Sequence, residues 1–226
     1  MRGEARKPRQ AERRPGHRLP SGRWEAALRR AGSLRVAGTD EVGRGCLAGP
    51  VVAAAVILKP NRPIPGLRDS KLLSPGERRR LVPLILAACE AFGVGSASVH
   101  EIDRLNIRRA SFRAMLRAIA RLRPPPDHLI VDGFAIPGLA IAQTPLVSGD
   151  RLCRSVAAAS VLAKVLRDRR MDRLHLLYPA YRFQENRGYP TPEHLRALEA
   201  YGPCPLHRRS FAPVRRLLEG PLSLPL

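Results

Sequence analysis

Asp40 and Glu41 stand side by side, Asp132 precedes Gly133, and Asp150 follows Gly149. Each lies where a predicted strand ends or a helix opens, which is where open α/β sheets place their sites. Carboxylates gathered this way suit a hard cation, because Mg²⁺ and Mn²⁺ take oxygen ligands in preference to sulfur or imidazole. Mg²⁺ or Mn²⁺ is therefore the expected cofactor. Two such ions about 4 Å apart activate water and stabilise the leaving oxygen of an in-line displacement. Phosphodiester hydrolysis is the reaction class that follows. A lone Asp or Glu reads only as a surface charge or a helix cap; the joint pattern is what points to a site.

The charge balance agrees. Across 226 residues, 40 Lys and Arg face 19 Asp and Glu, for a formal charge of +21, and a field of that sign attracts nucleic acid or anionic lipid. Charge alone does not choose between them. The apolar stretches at 47–58 and 156–165 are too short or too interrupted for the ~20 residues that cross a bilayer, and no long basic amphipathic helix is evident. The Arg-rich N-terminus has no apolar signal core. No membrane partner and a cytoplasmic location are expected. Cys46, Cys89, Cys153 and Cys204 form no Cys-x-x-Cys or Cys/His cluster and read as reduced thiols.

The elements that must position the carboxylates can be traced along the chain. Leu34 to Glu41 and Val51 to Leu58 read as two strands joined by a Gly-rich turn at Gly43-Arg-Gly45. Ser74-Pro-Gly-Glu77 opens a capped helix expected to reach about Ala91. A third strand is expected over 93–99, an amphipathic helix over 107–122, a rigid break at Pro124-Pro-Pro126, and strands at 128–132 and 140–146. Ser155 to Met171 is Ala-rich and helix-favouring, 192–201 forms another helix, and His207 to Glu219 is a basic terminal segment. The fold class is α/β: a mixed sheet flanked by helices. One tension follows. Adjacent side chains on a regular strand point to opposite faces, so the strand is expected to bend or end at Asp40 and Glu41, with the nearby glycines giving the backbone that freedom.

Taken together, Ala37-Gly-Thr-Asp-Glu-Val-Gly-Arg-Gly45, Leu47-Ala-Gly-Pro-Val51, Asp69-Ser-Lys71, Val131-Asp-Gly133, Gly149-Asp150, the run Ser155 to Lys164 with Arg167-Asp168, and Gly188-Tyr-Pro-Thr191 resemble the ribonuclease HII family. The resemblance covers roughly residues 36–217 in the family's order. It implies a ribonuclease H-like fold with a helical C-terminal portion, and it places the catalytic, metal-holding carboxylates on Asp40, Glu41, Asp132 and Asp150. It further implies that Gly43, Arg44 and Gly45 sense the 2′-hydroxyl that separates RNA from DNA. Tyr189 then lies against the sugar of the deoxynucleotide after the cut, and Lys71 and Lys164 face phosphates. The chain departs from the family at Ser148, where many members carry Lys, with Arg151 or Arg154 as candidate replacements. It departs again at Gln184-Glu-Asn-Arg187, where His-Lys is often found.

The organisation so implied is a basic, largely disordered N-terminal extension over 1–32, in which Ser21-Gly-Arg-Trp-Glu25 opens a short helix through Leu28. A catalytic domain follows over 33–219, then a tail over 220–226. The expected function is hydrolysis of the RNA strand of RNA-DNA hybrids and nicking 5′ to ribonucleotides embedded in duplex DNA, leaving 5′-phosphate and 3′-hydroxyl ends, by a monomer. The competing class is a basic nucleic-acid-binding protein without catalysis, against which four intact carboxylates argue.

Overall fold

Val51–Leu58 carries no charge and no Gly or Pro, and all eight of its residues are buried, so this segment forms a strand covered on both faces. In the computed structural model, which describes residues 19–219, it is β2. Its neighbours are β1 (Val36–Val42) and β3 (Cys89–Ala97), both antiparallel to it. β4 (His128–Asp132) runs parallel to β1, and β5 (Ala142–Leu146) parallel to β4, giving a five-stranded mixed sheet of order β3-β2-β1-β4-β5.

Period-2 alternation sorts the strand residues between two helical layers. Ala37, Ala53, Ala55, Ile57, Leu129 and Val131 pack under α4 (Ile107–Ile119), against Ala114, Met115 and Ala118. On the other face, Ala54, Val56 and Leu58 meet the Ala-rich α6 (Arg154–Leu177) and α2 (Pro75–Ala88). Small side chains let the layers approach closely. A Cβ on Gly38 of β1 would collide with the backbone of Ser155 and Val156, and one on Gly95 of β3 with the Ala114 carbonyl. The N-terminal half of α6 therefore lies directly on β1, close to Asp40.

Several boundaries differ from the sequence expectation, including α6, which runs on to Leu177, and α4, which stops at Ile119. α2 carries the Ser74/Glu77 capping box but stops at Ala88, because Cys89 already pairs with Leu58 and starts β3 four residues early. Ser98 then ends β3 and caps α3 (Val99–Leu105) through a second capping box with Glu101; the Ser-x-x-Glu signal was present, but a strand was read across its start. And β1 neither bends nor ends at the carboxylates. Its register with β2 runs on through Asp40↔Ala54, Glu41↔Ala53 and Val42↔Val52, and the chain turns only at Gly43, whose φ of 99° lies in the region glycine tolerates.

Residues 19–32 are packed. α1 (Arg23–Arg30) sets Trp24 and Leu28 against Val36, Ile130 and Val156. Its buried Glu25 accepts from the Ser155 amide at 2.8 Å and from the Cys153 thiol, supplying from a distant helix the cap that α6 lacks locally. The packed part of the chain thus begins before residue 33, at the helix opened near Ser21. Residues 1–18 of the extension expected over 1–32, and the tail expected over 220–226, lie outside the described residues. Beyond the sheet, α7 (Phe183–Asn186), α8 (Pro192–Tyr201) and α9 (Ala212–Glu219) build a separate helical core with Leu47, Ala48 and Met171. Cys46, Cys89, Cys153 and Cys204 are all free thiols. Among the described residues no helix is long and apolar enough to cross a membrane.

Candidate active site

Pairing between β1 and β4 stops at Thr39↔Val131, so Asp40, Glu41 and Asp132 project from the end of the sheet where the two strands have no further ladder between them. Alternation sends Asp40 to the α6 side, beside Ser160, and Glu41 to the α4 side, where it lines a small pocket with Arg108, Phe112 and Asp132. The tension between adjacent carboxylates is thus resolved by position: they lie on opposite faces at the end of the β1–β4 ladder, and Asp132 is within the field of each. Asp132 also accepts the Gly149 amide at 2.7 Å. That bond docks the short helix α5 (Gly149–Leu152) on β4 and brings Asp150, itself buried, into the same cluster. The structure therefore gathers all four carboxylates named from the sequence.

Their electrostatics are those of acids crowded out of water. Burial, followed by the charges of Glu41, Asp132 and Asp150, holds Asp40 well above the usual carboxylate range. Burial lifts Glu41 to about 7, with the Arg44 guanidinium pulling the other way from 3.0 Å. Asp132 and Asp150 are raised by burial as well; for Asp150, the adjacent Lys71 opposes the rise while Asp69 and Asp132 add to it. Lys71 Nζ lies 3.5 Å from Asp150, and that neighbour together with Asp69 and Asp40 outweighs its own desolvation and raises its pKa. Among the described residues no three His, Cys, Asp or Glu side chains close on one point tightly enough to enclose an ion. The carboxylates are instead partly neutralised by Arg44 and Lys71. The donor set still fits a hard divalent cation: it is all oxygen, and its mutual repulsion is what added positive charge would relieve.

The other sequence candidates divide between two places. Lys71 belongs to the carboxylates. Lys164 does not: it pairs with Asp168 at 2.7 Å and lies 5.9 Å from the Tyr189 ring, with Arg167 on the same ring at 6.0 Å. Burial lowers the Lys164 pKa. Tyr189 is exposed at 38%, and Cys46 adjoins its hydroxyl. Gly43 is pressed so closely on Arg167 that a Cβ there would meet the guanidinium, whereas one on Gly45 would enter open space. Of the two arginines weighed as substitutes for the lysine missing at Ser148, Arg151 reaches Asp69 at 2.9 Å and stands beside the cluster, while Arg154 lies against Gly22 in the N-terminal segment.

Several residues escaped the sequence reading. Asp69 and Arg167 lie in the family's motifs, but their residue types alone announce no role there. Asp69 caps the turn carrying Lys71 and holds Arg151; despite burial, these partners lower its pKa. Arg167 and Arg208 are the largest fully buried side chains in the described structure. Arg167 donates to the carbonyls of Ala48, Pro50 and Arg187, and Arg208 to those of Gly43, Arg44 and Gly49. A guanidinium has five donors and no acceptor, so a buried one fits where a loop turns several carbonyls inward. Together they fix the segment 43–50 that carries the Gly-Arg-Gly turn.

This geometry agrees with what the chain is similar to. Residues 37–214 match the family model for ribonuclease HII. The ribonuclease HII of Moorella thermoacetica is 54% identical over 188 residues, 83% of this chain and 91% of that protein. Among solved structures, ribonuclease H2 from Pyrococcus horikoshii superposes with a TM-score of 0.69 at 27% identity, covering 82% of this chain and 98% of that one. The ribonuclease HII of Archaeoglobus fulgidus, solved in a complex with PCNA, gives 0.66 at 28% identity over 77% and 94%. The match spans the sheet, the four carboxylates and the arginine-held loop alike, and the chain belongs to the ribonuclease HII family.

Proposed function

We propose that the chain is a metal-dependent endonuclease that hydrolyses the RNA strand of RNA-DNA hybrids and nicks 5′ to ribonucleotides embedded in duplex DNA, leaving 5′-phosphate and 3′-hydroxyl ends. The observation that carries this reading is the cluster of Asp40, Glu41, Asp132 and Asp150 at the open end of β1 and β4. These four are held at raised pKa by burial and mutual repulsion. They would hold Mg²⁺ or Mn²⁺, which supplies an activated water and charge stabilisation for the leaving oxygen.

The chain's own residues do the rest. Asp132, held by the Gly149 amide, and Asp40, which accepts the Glu41 amide, present carboxylates from two elements of one sheet. Glu41 and Asp150 are each shared with a cation, Arg44 and Lys71, which are placed to turn toward phosphate when metal relieves the carboxylates. The Gly43–Gly45 turn, pinned from behind by Arg208, offers backbone groups close enough to sense a 2′-hydroxyl. Tyr189 offers a ring face backed by Lys164 and Arg167, against which a sugar lacking that hydroxyl can pack. A cytoplasmic monomer is part of the same proposal.

The test is a duplex carrying one ribonucleotide, incubated with Mg²⁺, Mn²⁺ or EDTA. Metal-dependent nicking 5′ to the ribonucleotide is expected; binding without nicking overturns the reading in favour of a binding protein. Asp40→Asn removes a ligand worth several kcal/mol of transition-state stabilisation and is expected to cut cleavage on the order of 10³-fold while retaining duplex binding. Undiminished cleavage would sink the metal assignment.

A further inference from the structure

His194 and His207 are buried together outside the carboxylate cluster, at 0% and 2% exposure, within the helical core formed by Tyr181 and Phe183. Their Nε2 atoms are 3.0 Å apart. The two remaining ring nitrogens are also engaged, and their partners fix the direction of the whole chain of bonds. The Cys204 backbone amide must donate, so His207 Nδ1, 3.0 Å away, accepts and carries no proton. A neutral His207 then holds its proton on Nε2 and donates it to His194 Nε2. His194 in turn carries its proton on Nδ1 and donates it to the Tyr189 carbonyl at 2.8 Å. Only one tautomer of each ring satisfies all three contacts, and a cation at either ring breaks one of them. Burial accordingly lowers the pKa of both, His207 to about 4 with His194 adding to the effect. The titratable groups packed round the pair are Tyr181, whose ring is 4.8 Å from His207, and Cys204. The neighbouring Arg208 guanidinium is engaged by the Gly43, Arg44 and Gly49 carbonyls.

The sequence position of His207 gives this relay its consequence. The next residue, Arg208, holds the Gly-Arg-Gly turn, and its amide donates to the Leu47 carbonyl, while the Leu47 amide donates to the Gly188 carbonyl. One dipeptide thus touches two elements: through its arginine, the turn at 43–45 that follows Glu41; through the imidazoles, the backbone of Tyr189. We propose that His207, acting through His194, is a positioning residue that sets Tyr189 at a fixed distance from the Gly43–Gly45 turn, and so sets the preference for a ribonucleotide followed by a deoxynucleotide over a continuous RNA-DNA hybrid. The inference rests on the proposed substrate reading for its functional half.

The experiment compares kcat/KM on a duplex with one ribonucleotide and on a uniform hybrid, together with ¹⁵N spectra of the histidines in the full chain. In the wild type, His207 is expected to show a bare Nδ1 and a protonated Nε2, His194 the reverse, with both titrating below the ordinary imidazole range. His207→Asn still accepts from Cys204 but does not reach His194; one hydrogen bond is lost, and the ratio of the two kcat/KM values is expected to fall about tenfold. His207→Gln can donate to His194 and is expected to restore most of the ratio. The proposal is overturned by the opposite tautomers, by a pair that titrates near pH 6.5, by equal losses on both substrates, or by a Gln variant no better than Asn. Should His207→Asn fail to fold, the Gln variant and the wild-type spectra still decide. Failure of the wild type to cut either substrate would overturn the functional reading instead, since the imidazole nitrogens report on the relay without substrate.

Discussion

The carboxylate cluster and the loop beside it, residues 43–50, both bury charge, and they treat it in opposite ways. In the cluster, four acids raise one another's pKa and are only partly matched by Arg44 and Lys71, each of which reaches in from a solvent-exposed position. In the loop, Arg167 and Arg208 are fully buried, and each is satisfied by three backbone carbonyls without a carboxylate partner. One region keeps its repulsion for a ligand to relieve; the other is closed and holds its shape. A nuclease that must bind metal and also measure one hydroxyl has use for both, since relief of repulsion drives ion binding while a fixed loop gives discrimination.

That contrast can be broken from either side. The largest effect on stability is expected in the closed region. Arg167→Met leaves the carbonyls of Ala48 and Pro50 without their guanidinium donor and that of Arg187 with only the Cys46 thiol, and urea unfolding should show a loss of about 3 kcal/mol. A loss under 1 kcal/mol would mean that water replaces the guanidinium.

In the open region the sign reverses, because removing charge relieves the fold. Glu41 has its pKa raised from 4.5 to about 7 on folding, so its contribution is intact below pH 4.5 and is lost as pH rises through 7. Measured in EDTA, apo Glu41→Gln should match the wild type at pH 4 and exceed it by about 2 kcal/mol at pH 8. Saturating Mg²⁺ should erase that advantage. A difference that stays flat from pH 4 to 8 would show that Glu41 is not held in repulsion.

Tyr189→Ala is a smaller test: cleavage beside a single ribonucleotide should drop about tenfold more than duplex binding does, as one ring contact of ~1 to 2 kcal/mol is removed. Equal losses would make the ring structural. The smallest effect belongs to Lys71, an exposed side chain on a buried carboxylate. Lys71→Ala should tighten Mg²⁺ binding a few-fold in a calorimetric titration without nucleic acid, and should lower the salt slope of hybrid binding by about 1.

Much of this site was legible from residue types. Four carboxylates at strand ends, a Gly-Arg-Gly turn after the first pair and an Ala-rich helix each state a local physical preference, and the apolar run of β2 reads as a strand. The misreadings came where two local signals competed. Ser98 and Glu101 announce a helix start, yet the alternation running up to Ala97 extended a strand over it. Helical propensity carried α2 past Ala88, although long-range pairing with Leu58 had already claimed Cys89.

The sequence by itself determined which groups can carry chemistry, because a carboxylate, a glycine or a tyrosine keeps its donor set and its conformational range wherever it is placed. Only the tertiary structure decided how Asp40 and Glu41 serve one site from opposite faces of an unbroken strand, by ending the β1–β4 ladder one residue before them. It alone decided that Arg208 closes on Gly43 from 165 positions away, and that His207 and His194 address Tyr189. Their partners are backbone carbonyls and amides, which every residue presents alike. A donor's type is written in the sequence; which carbonyl it meets is set by the packing that brings them together.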